Sequence, residues 1–153
     1  QKINHTLKKL LPPNRFVTAT IAYISPENHM IEIWNGSNPT PMFFDEHGKV
    51  LKVFEKANFA LGIVDNDILD SRTEVYVWPE KGELLVFTDG IVDLRDAQGN
   101  LYGIQGMIEA MSHLAAVNRT DQIGFDLVIE HASDYARTGE RGDDISLISI
   151  ECN

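Results

Sequence analysis

Two short acidic motifs carry the residue types best suited to chemistry in this chain, Thr88-Asp89-Gly90 and Gly142-Asp143-Asp144-Ile145-Ser146. The first follows the apolar run Leu84-Leu85-Val86-Phe87, and the second opens the run from Ile145 to Ile150. Each therefore places a carboxylate at the mouth of a strand expected to be buried. Rigid strand ends that present carboxylate oxygens suit hard cations such as Mg²⁺ and Mn²⁺. If the two motifs meet in space, they make half of a metal site for phosphoryl chemistry. Each also has a plainer reading. Asp-Gly after a strand is a common turn, and a solvated loop holds two aspartates at little cost. Asp143-Asp144 is the more informative of the two, because adjacent carboxylates entering a buried strand repel unless a cation or backbone N–H groups offset the charge.

Other chemistries find little support. Gly99, Gly103 and Gly106 do not match G-x-G-x-x-G, and neither a P-loop nor a G-x-S-x-G elbow is present. His113 and His131 fall on expected helices, away from any Cys or carboxylate at ligand spacing, and take no assigned role. The only cysteine, Cys152, excludes a disulfide framework and a Cys-rich zinc site. Trp34 and Trp78 read as core aromatics. Sequons stand at Asn4, Asn35 and Asn118, but no secretory signal is visible to give them a use.

At 153 residues, 43% hydrophobic and 24% charged, the chain reads as a single domain over residues 1–153 with a substantial core. A formal charge of −10 argues against nucleic acid as a partner, since phosphate backbones call for Lys/Arg stripes. No run approaches the roughly 20 apolar residues that span a bilayer. The expectation is a cytoplasmic protein without a membrane partner. It begins with Gln1 rather than methionine, as a fragment would.

The elements that must position the motifs follow from punctuation and period. Residues 1–11 read as the end of a helix with Ile3, Leu7, Leu10 and Leu11 on one face, stopped by Pro12-Pro13-Asn14. Phe16 to Ile24 and Met30 to Trp34 read as a hairpin about the turn Pro26-Glu27-Asn28-His29. After the loop from Gly36 to Pro41, Met42-Phe43-Phe44 is a short strand, and Asp45-Glu46-His47-Gly48 turns it into Val50 to Phe54. Thr73 to Trp78 alternates, and Pro79-Glu80-Lys81-Gly82 is expected to turn it into the strand ending at Asp89, giving an antiparallel meander. Helices are expected at about 106–116 and 121–137, the second capped by Asp121 and carrying Ile123, Leu127 and Val128 at helical spacing. A polar loop from Thr138 to Gly142 precedes the final strand.

Taken in order, these segments resemble the metal-dependent type 2C (PPM) protein phosphatases of the bacterial stage-II-sporulation branch. FVTATIAYISPENHMIEIWNGSNPTP is similar to that branch's strand–turn–strand ending in an Asn-Ala-Gly-His-Pro-type loop, and Leu61-Gly62 resembles its Leu-Gly step. LLVFTDGIVDLRDAQGNLYG resembles the Thr-Asp-Gly block, and GDDISLISIE the terminal Asp-Asp-Ile/Met-Ser/Thr strand. The four stretches cover nearly the whole chain.

The resemblance implies an α+β fold, a sandwich of two antiparallel β-sheets flanked by helices, with two Mn²⁺ or Mg²⁺ ions at one end. By matching position, Asp89 and Asp143 are metal ligands that act catalytically through the bound ions. Gly90 and Asp144 support them, Gly90 by letting the chain pass close to the site. A metal-bridging hydroxide would attack phosphorus in line and release phosphate without a phosphoenzyme. The family's first acidic motif lies upstream of a helix that this chain begins inside. The domain is therefore expected to be N-terminally incomplete, to lack the aspartate that bridges both metals, and to turn over poorly as it stands. Asn38 occupies a position where the branch often has histidine, and Asp93 one where it often has glutamate. The Asn-Gly-x-x-Pro loop is similar to copies fused to response-regulator receivers, which implies an upstream receiver domain and two-component signalling. The expected partner is a phosphorylated regulatory protein such as an anti-sigma-factor antagonist. The competing expectation is a phosphatase-like adaptor that binds such a partner without chemistry. Retention of both Asp89 and Asp143 favours the enzyme.

Overall fold

The β-branched and aromatic stretches form strands, and the longer stretches of helical period form helices. The computed structural model of the chain describes residues 1–55, 57–117, 125–136 and 143–153. In chain order the elements are α1 (Lys2–Leu10), β1 (Ala19–Ser25), β2 (Met30–Gly36), β3 (Met42–Asp45), β4 (Val50–Val53), β5 (Ala57–Asn58), β6 (Glu74–Val77), β7 (Gly82–Phe87), α2 (Asp89–Val92), α3 (Gly103–Val117), α4 (Phe125–Tyr135) and β8 (Leu147–Cys152). Contacts gather them into two units, Gln1–Thr40 with Phe54–Pro79, and Pro41–Val53 with Glu80–Asn153.

In the first unit β1 and β2 form the expected antiparallel hairpin, from Ala19 opposite Gly36 to Ser25 opposite Met30. Its connection is a 3₁₀ turn over Pro26–Asn28, closed by His29 in the left-handed region at φ 49°. β6 runs antiparallel along β2, and β5 adds a two-residue parallel pairing at its end, so this sheet is not purely antiparallel. The expected β6–β7 meander does not form. β6 stays on β2, whereas β7 belongs to the second unit. Pro79 lacks the N–H that a continuing ladder needs. The two strands also differ in demand: Val75 and Val77 of β6 are exposed, while β7 is apolar enough to require neighbours on both edges.

Helix α1 departs from its apolar stripe. Ile3 and Leu10 are exposed, and the fully buried residue is Asn4. Its Nδ2 donates to the Val64 carbonyl (3.0 Å) and to Asn66 Oδ1 (2.8 Å), and its Oδ1 accepts from the Gly62 N–H at 2.7 Å. A polar side chain with its bonds made replaces apolar contact here. Leu7 alone of the expected stripe joins the small core of Trp34, Leu61 and Leu69. Asn35 is likewise buried, accepting from Thr20 Oγ1 (2.9 Å) and donating to the Asn38 carbonyl (2.9 Å), which pins the loop after β2. Two of the three sequons are thus structural asparagines; Asn118 lies outside the described residues.

The second unit is an antiparallel sheet in the order β4-β3-β7-β8. β7 is central, with Leu84, Leu85 and Phe87 at 2% exposure or less, as its uninterrupted apolar run requires. β8 does not match its expectation of a buried strand. It begins at Leu147 and lies at the sheet edge with Leu147 and Cys152 buried and Ile148 exposed. α3 starts earlier than its spacing implied. The cap at Asp121, Ile123, Arg137 and the loop from Thr138 to Gly142 lie outside the described residues. Met107 and Met111 of α3 and Val128 and Ala132 of α4 share a core with Met42, Phe44, Leu85 and Phe87. Burial of each larger apolar side chain there contributes about 1.5–3 kcal/mol. The β3–β4 turn docks on α3 through Gly48. Ser112 Oγ donates to its carbonyl (3.1 Å), and a Cβ on Gly48 would stand 2.7 Å from the Met111 carbonyl carbon. Among the described residues no helix is long and apolar enough to cross a membrane.

Two measurements check this packing. Asn4→Ala strands the Gly62 N–H and the Val64 carbonyl, and is expected to cost about 2–3 kcal/mol in urea unfolding; a loss under 0.5 kcal/mol would show that Asn4 does not anchor α1. Glu83 lies opposite Glu151 across β7–β8 and accepts from Ser149 Oγ. Burial pushes its pKa up, the Ser149 bond pulls it down, and the Glu151 charge adds to the rise, leaving it above the usual range. The unfolded chain then releases this proton at lower pH than the native one. Wild-type stability therefore falls as pH rises from the ordinary Glu range through the native value. Glu83→Gln should remove that slope and gain about 0.5 kcal/mol at pH 7.5 but not at pH 4. Thermal unfolding of both proteins at the two pH values decides it.

Candidate metal centre

The site is built by strand register. Phe87 pairs with Leu147 at the end of the β7–β8 ladder, so the residues after Phe87 and before Leu147 leave the sheet side by side. Pairing continues one residue beyond the strands. The Thr88 N–H donates to the Ser146 carbonyl (2.9 Å), and the Ser146 N–H donates to Thr88 Oγ1 (2.9 Å). The Thr88 hydroxyl lies 3.4 Å from both the Asp144 and Ser146 carbonyl oxygens. Thr88 is extended and stands at the N-cap of α2, whose first residue is Asp89.

Gly90 makes the closest approach. It is buried, and a Cβ built on it would stand 2.8 Å from the Asp144 carbonyl carbon and 3.2 Å from the Asp143 carbonyl oxygen. The Asp143-Asp144 backbone thus runs against the first turn of α2, where only glycine fits. The Asp144 N–H donates to Asp143 Oδ1 at 2.8 Å, which holds that carboxylate toward its own backbone. Asp89, Asp143 and Asp144 are all exposed. The structure brings the two acidic motifs together, through backbone contact at the ends of adjacent strands. Asp144 enters the arrangement through its carbonyl. Gly142 lies outside the described residues.

The donor set fits a hard cation in kind. It offers carboxylate oxygens, with no Lys, Arg or His ion-paired to Asp89 or Asp143 among the described residues. Its number is small: no cluster of three or more His, Cys, Asp or Glu able to hold a metal occurs among the described residues. Any ion here would draw its remaining ligands from water or from a phosphate, as Mg²⁺ commonly does.

Elsewhere the reactive side chains have structural work. Tyr102, buried, bonds His131 Nδ1 through its hydroxyl (3.1 Å), and burial pushes its pKa well above the ordinary range. Burial pushes the Cys152 thiol up to about 11, which keeps it protonated at neutral pH. Asn38 donates to Thr20 Oγ1 (3.1 Å) in the first unit. Asp93 is exposed at the C-cap of α2, its N–H donating to the Asp89 carbonyl at 2.8 Å. The sequence reading passed over α2 itself and the bonding of Thr88 with Ser146. Their only sequence signal is a Thr before Asp-Gly and a Ser after Asp-Asp-Ile.

Comparison with known proteins places this geometry. The chain matches the family Stage II sporulation protein E (SpoIIE) over residues 1–153. No curated protein matches it in sequence. Among solved structures, the SiaA-PP2C domain of Pseudomonas aeruginosa is similar at TM-score 0.77 and 14% identity, covering 98% of this chain and 58% of that one. The manganese-presoaked phosphatase domain of SpoIIE from Bacillus subtilis is similar at TM-score 0.67 and 15% identity, covering 97% and 63%. The RsbU and RsbW domains of a Mycobacterium tuberculosis protein match at TM-score 0.68 and 14% identity, covering 95% and 38%. At these identities the likeness is one of fold, and the chain spans less than two thirds of each structure's length. The α+β architecture of two sheets with helices is that of PP2C phosphatase domains. With the family matched from first residue to last, the chain belongs to the SpoIIE family of PP2C-type phosphatase domains.

Proposed function

We propose that this domain serves a metal-dependent protein serine/threonine phosphatase of a bacterial, cytoplasmic signalling protein. On this reading it acts on a phosphoserine or phosphothreonine of a regulator such as an anti-sigma-factor antagonist, and an upstream receiver domain is a further expected partner. The observation that carries the reading is the seating of Gly90 on the Asp143-Asp144 backbone, which puts Asp89 and Asp143 at neighbouring strand ends. Asp89 and Asp143 would hold Mn²⁺ or Mg²⁺, two ions in a full-length site. Such ions supply a nucleophilic water at neutral pH and screen phosphoryl charge. The chain's own part is to hold the turns that carry the two carboxylates beyond the ends of β7 and β8 and keep their backbones in contact. Sign matters here. A chain of net charge −10 repels a phosphate dianion, and a bound cation reverses the local field. With two carboxylates in the set, occupancy is weak and turnover slow.

Thermal unfolding in Mn²⁺ tests the ligands. At about ten times the Kd, binding to the native state adds about 1.4 kcal/mol, or roughly 3–5 °C in Tm for a domain of this size. Asp89→Asn should lose most of that shift and slightly raise metal-free stability by relieving repulsion. An equal shift in both proteins rules Asp89 out. In parallel, slow Mn²⁺-dependent hydrolysis of a phosphoserine peptide that Asp89→Asn abolishes supports the enzyme. Binding through Asp89 with no hydrolysis, by this chain or by a version extended upstream through the next Asp-rich turn, supports the adaptor.

Gly90→Ala supplies a second check, since its methyl must push the Asp143-Asp144 backbone away. A destabilisation of about 1–3 kcal/mol is expected, together with loss of most of the Mn²⁺ response. Retention of the full response would show that the close approach does not shape the site.

A further inference from the structure

We propose that Thr88 is the positioning residue of this centre. Its hydroxyl holds the Asp143–Ser146 segment against the Asp89 turn and so sets the separation at which Asp89 and Asp143 can share a cation. The inference rests on the metal-centre reading above and deepens it.

The direction of the hydroxyl carries the argument. A Thr at an N-cap ordinarily turns its oxygen back to accept from the N–H groups of its own helix. Thr88 occupies that place on α2 and makes no such bond. Its Oγ1 instead reaches across to β8, accepting from the Ser146 N–H at 2.9 Å, with the Asp144 and Ser146 carbonyls at 3.4 Å as acceptors for its proton. Together with the backbone bond from the Thr88 N–H to the Ser146 carbonyl, this ties Ser146 to one residue through both its N–H and its C=O. Thr88 immediately precedes Asp89, and Ser146 lies three residues after Asp143. The tie is therefore the last fixed point before each carboxylate. Thr88 is half-buried, while Asp144 and Ser146 are exposed. The β-branched side chain also has few alternative rotamers, so the oxygen stays aimed across the strands. Ile145 and Asp144, between the tie and Asp143, make no ladder of their own before β8 begins at Leu147. Without the hydroxyl, the segment before β8 is tied to Thr88 only by the backbone bond from the Thr88 N–H to the Ser146 carbonyl, and the Gly90 contact beyond it rests on packing.

The test uses Thr88→Val, which keeps the shape and removes the oxygen, and Thr88→Ser, which keeps the oxygen. Isothermal titration with Mn²⁺ and amide exchange at Ser146 are measured on both and on wild type. The expected result is Mn²⁺ affinity about tenfold or more weaker in Thr88→Val, the range found when groups that orient metal ligands are removed. Thr88→Ser should stay close to wild type, and the Ser146 N–H should exchange faster in Thr88→Val only. A purely structural Thr88 would lower Tm in Thr88→Val and leave Mn²⁺ affinity unchanged, which overturns the proposal. So does a Thr88→Ser as weak as Thr88→Val. Wild type that binds no Mn²⁺ instead overturns the metal centre itself, and Thr88's part in it falls with that reading.

Discussion

The arrangement depends on one constraint, the continuation of the β7–β8 register past the ends of both strands. A sheet specifies which residues stand opposite one another, and shifting that register by one would turn every side chain of β8 to the other face. Leu147 would then leave the core it shares with Phe87 and Met42, and Ile148 would enter it. Apolar packing against α3 and α4 therefore fixes the register, and the register in turn fixes which backbone meets Gly90. The core and the site are linked in this sense. Residues remote in sequence from Asp89 and Asp143, such as Met107 and Val128, hold the geometry by denying β8 an alternative.

What the sequence made legible divides along a physical line. Short-range signals read well. The Pro26–His29 turn, the apolar run of β7 and the turn at Gly48 each declare themselves in a few residues, and the structure has them where the spacing put them. Pairing partners read less well. Nothing local in Thr73–Gly82 distinguishes a meander from a crossing between sheets, because partner choice is set by which strand needs two neighbours. Polar burial was hidden as well. Asn4 looks like one more exposed helix residue until Gly62, Val64 and Asn66 arrive from some sixty positions away to satisfy it. β8 misled for a related reason. Its apolar residues suggest burial on both faces, but an edge position leaves Ile148 in water.

At the candidate site, the sequence showed which residues to consider, and it did not show how they are brought together. Asp89, Gly90 and Asp143 stand out in the sequence as acidic and small residues at strand ends. The one-turn α2 and the diversion of Thr88 from its own helix to Ser146 depend on a partner strand that is remote in sequence. An Asp-Gly after a strand reads as a turn, and only the register shows that the hydroxyl before it serves the Ser146 N–H.

The two units treat polar side chains in opposite ways, and the contrast separates structure from function. In the first, Asn4 and Asn35 are buried and meet their hydrogen-bonding groups within the fold. Such networks specify a loop or a helix position and ask nothing of solvent. At the end of β7 and β8 the order is reversed. Backbone groups are paired and Gly90 is packed tight, yet the carboxylates of Asp89 and Asp143 are left exposed without a cationic side chain among the described residues. The β7–β8 register brings the two acidic turns into backbone contact, and on the metal-centre reading a cation held between them would offset the like charges that this contact draws near one another.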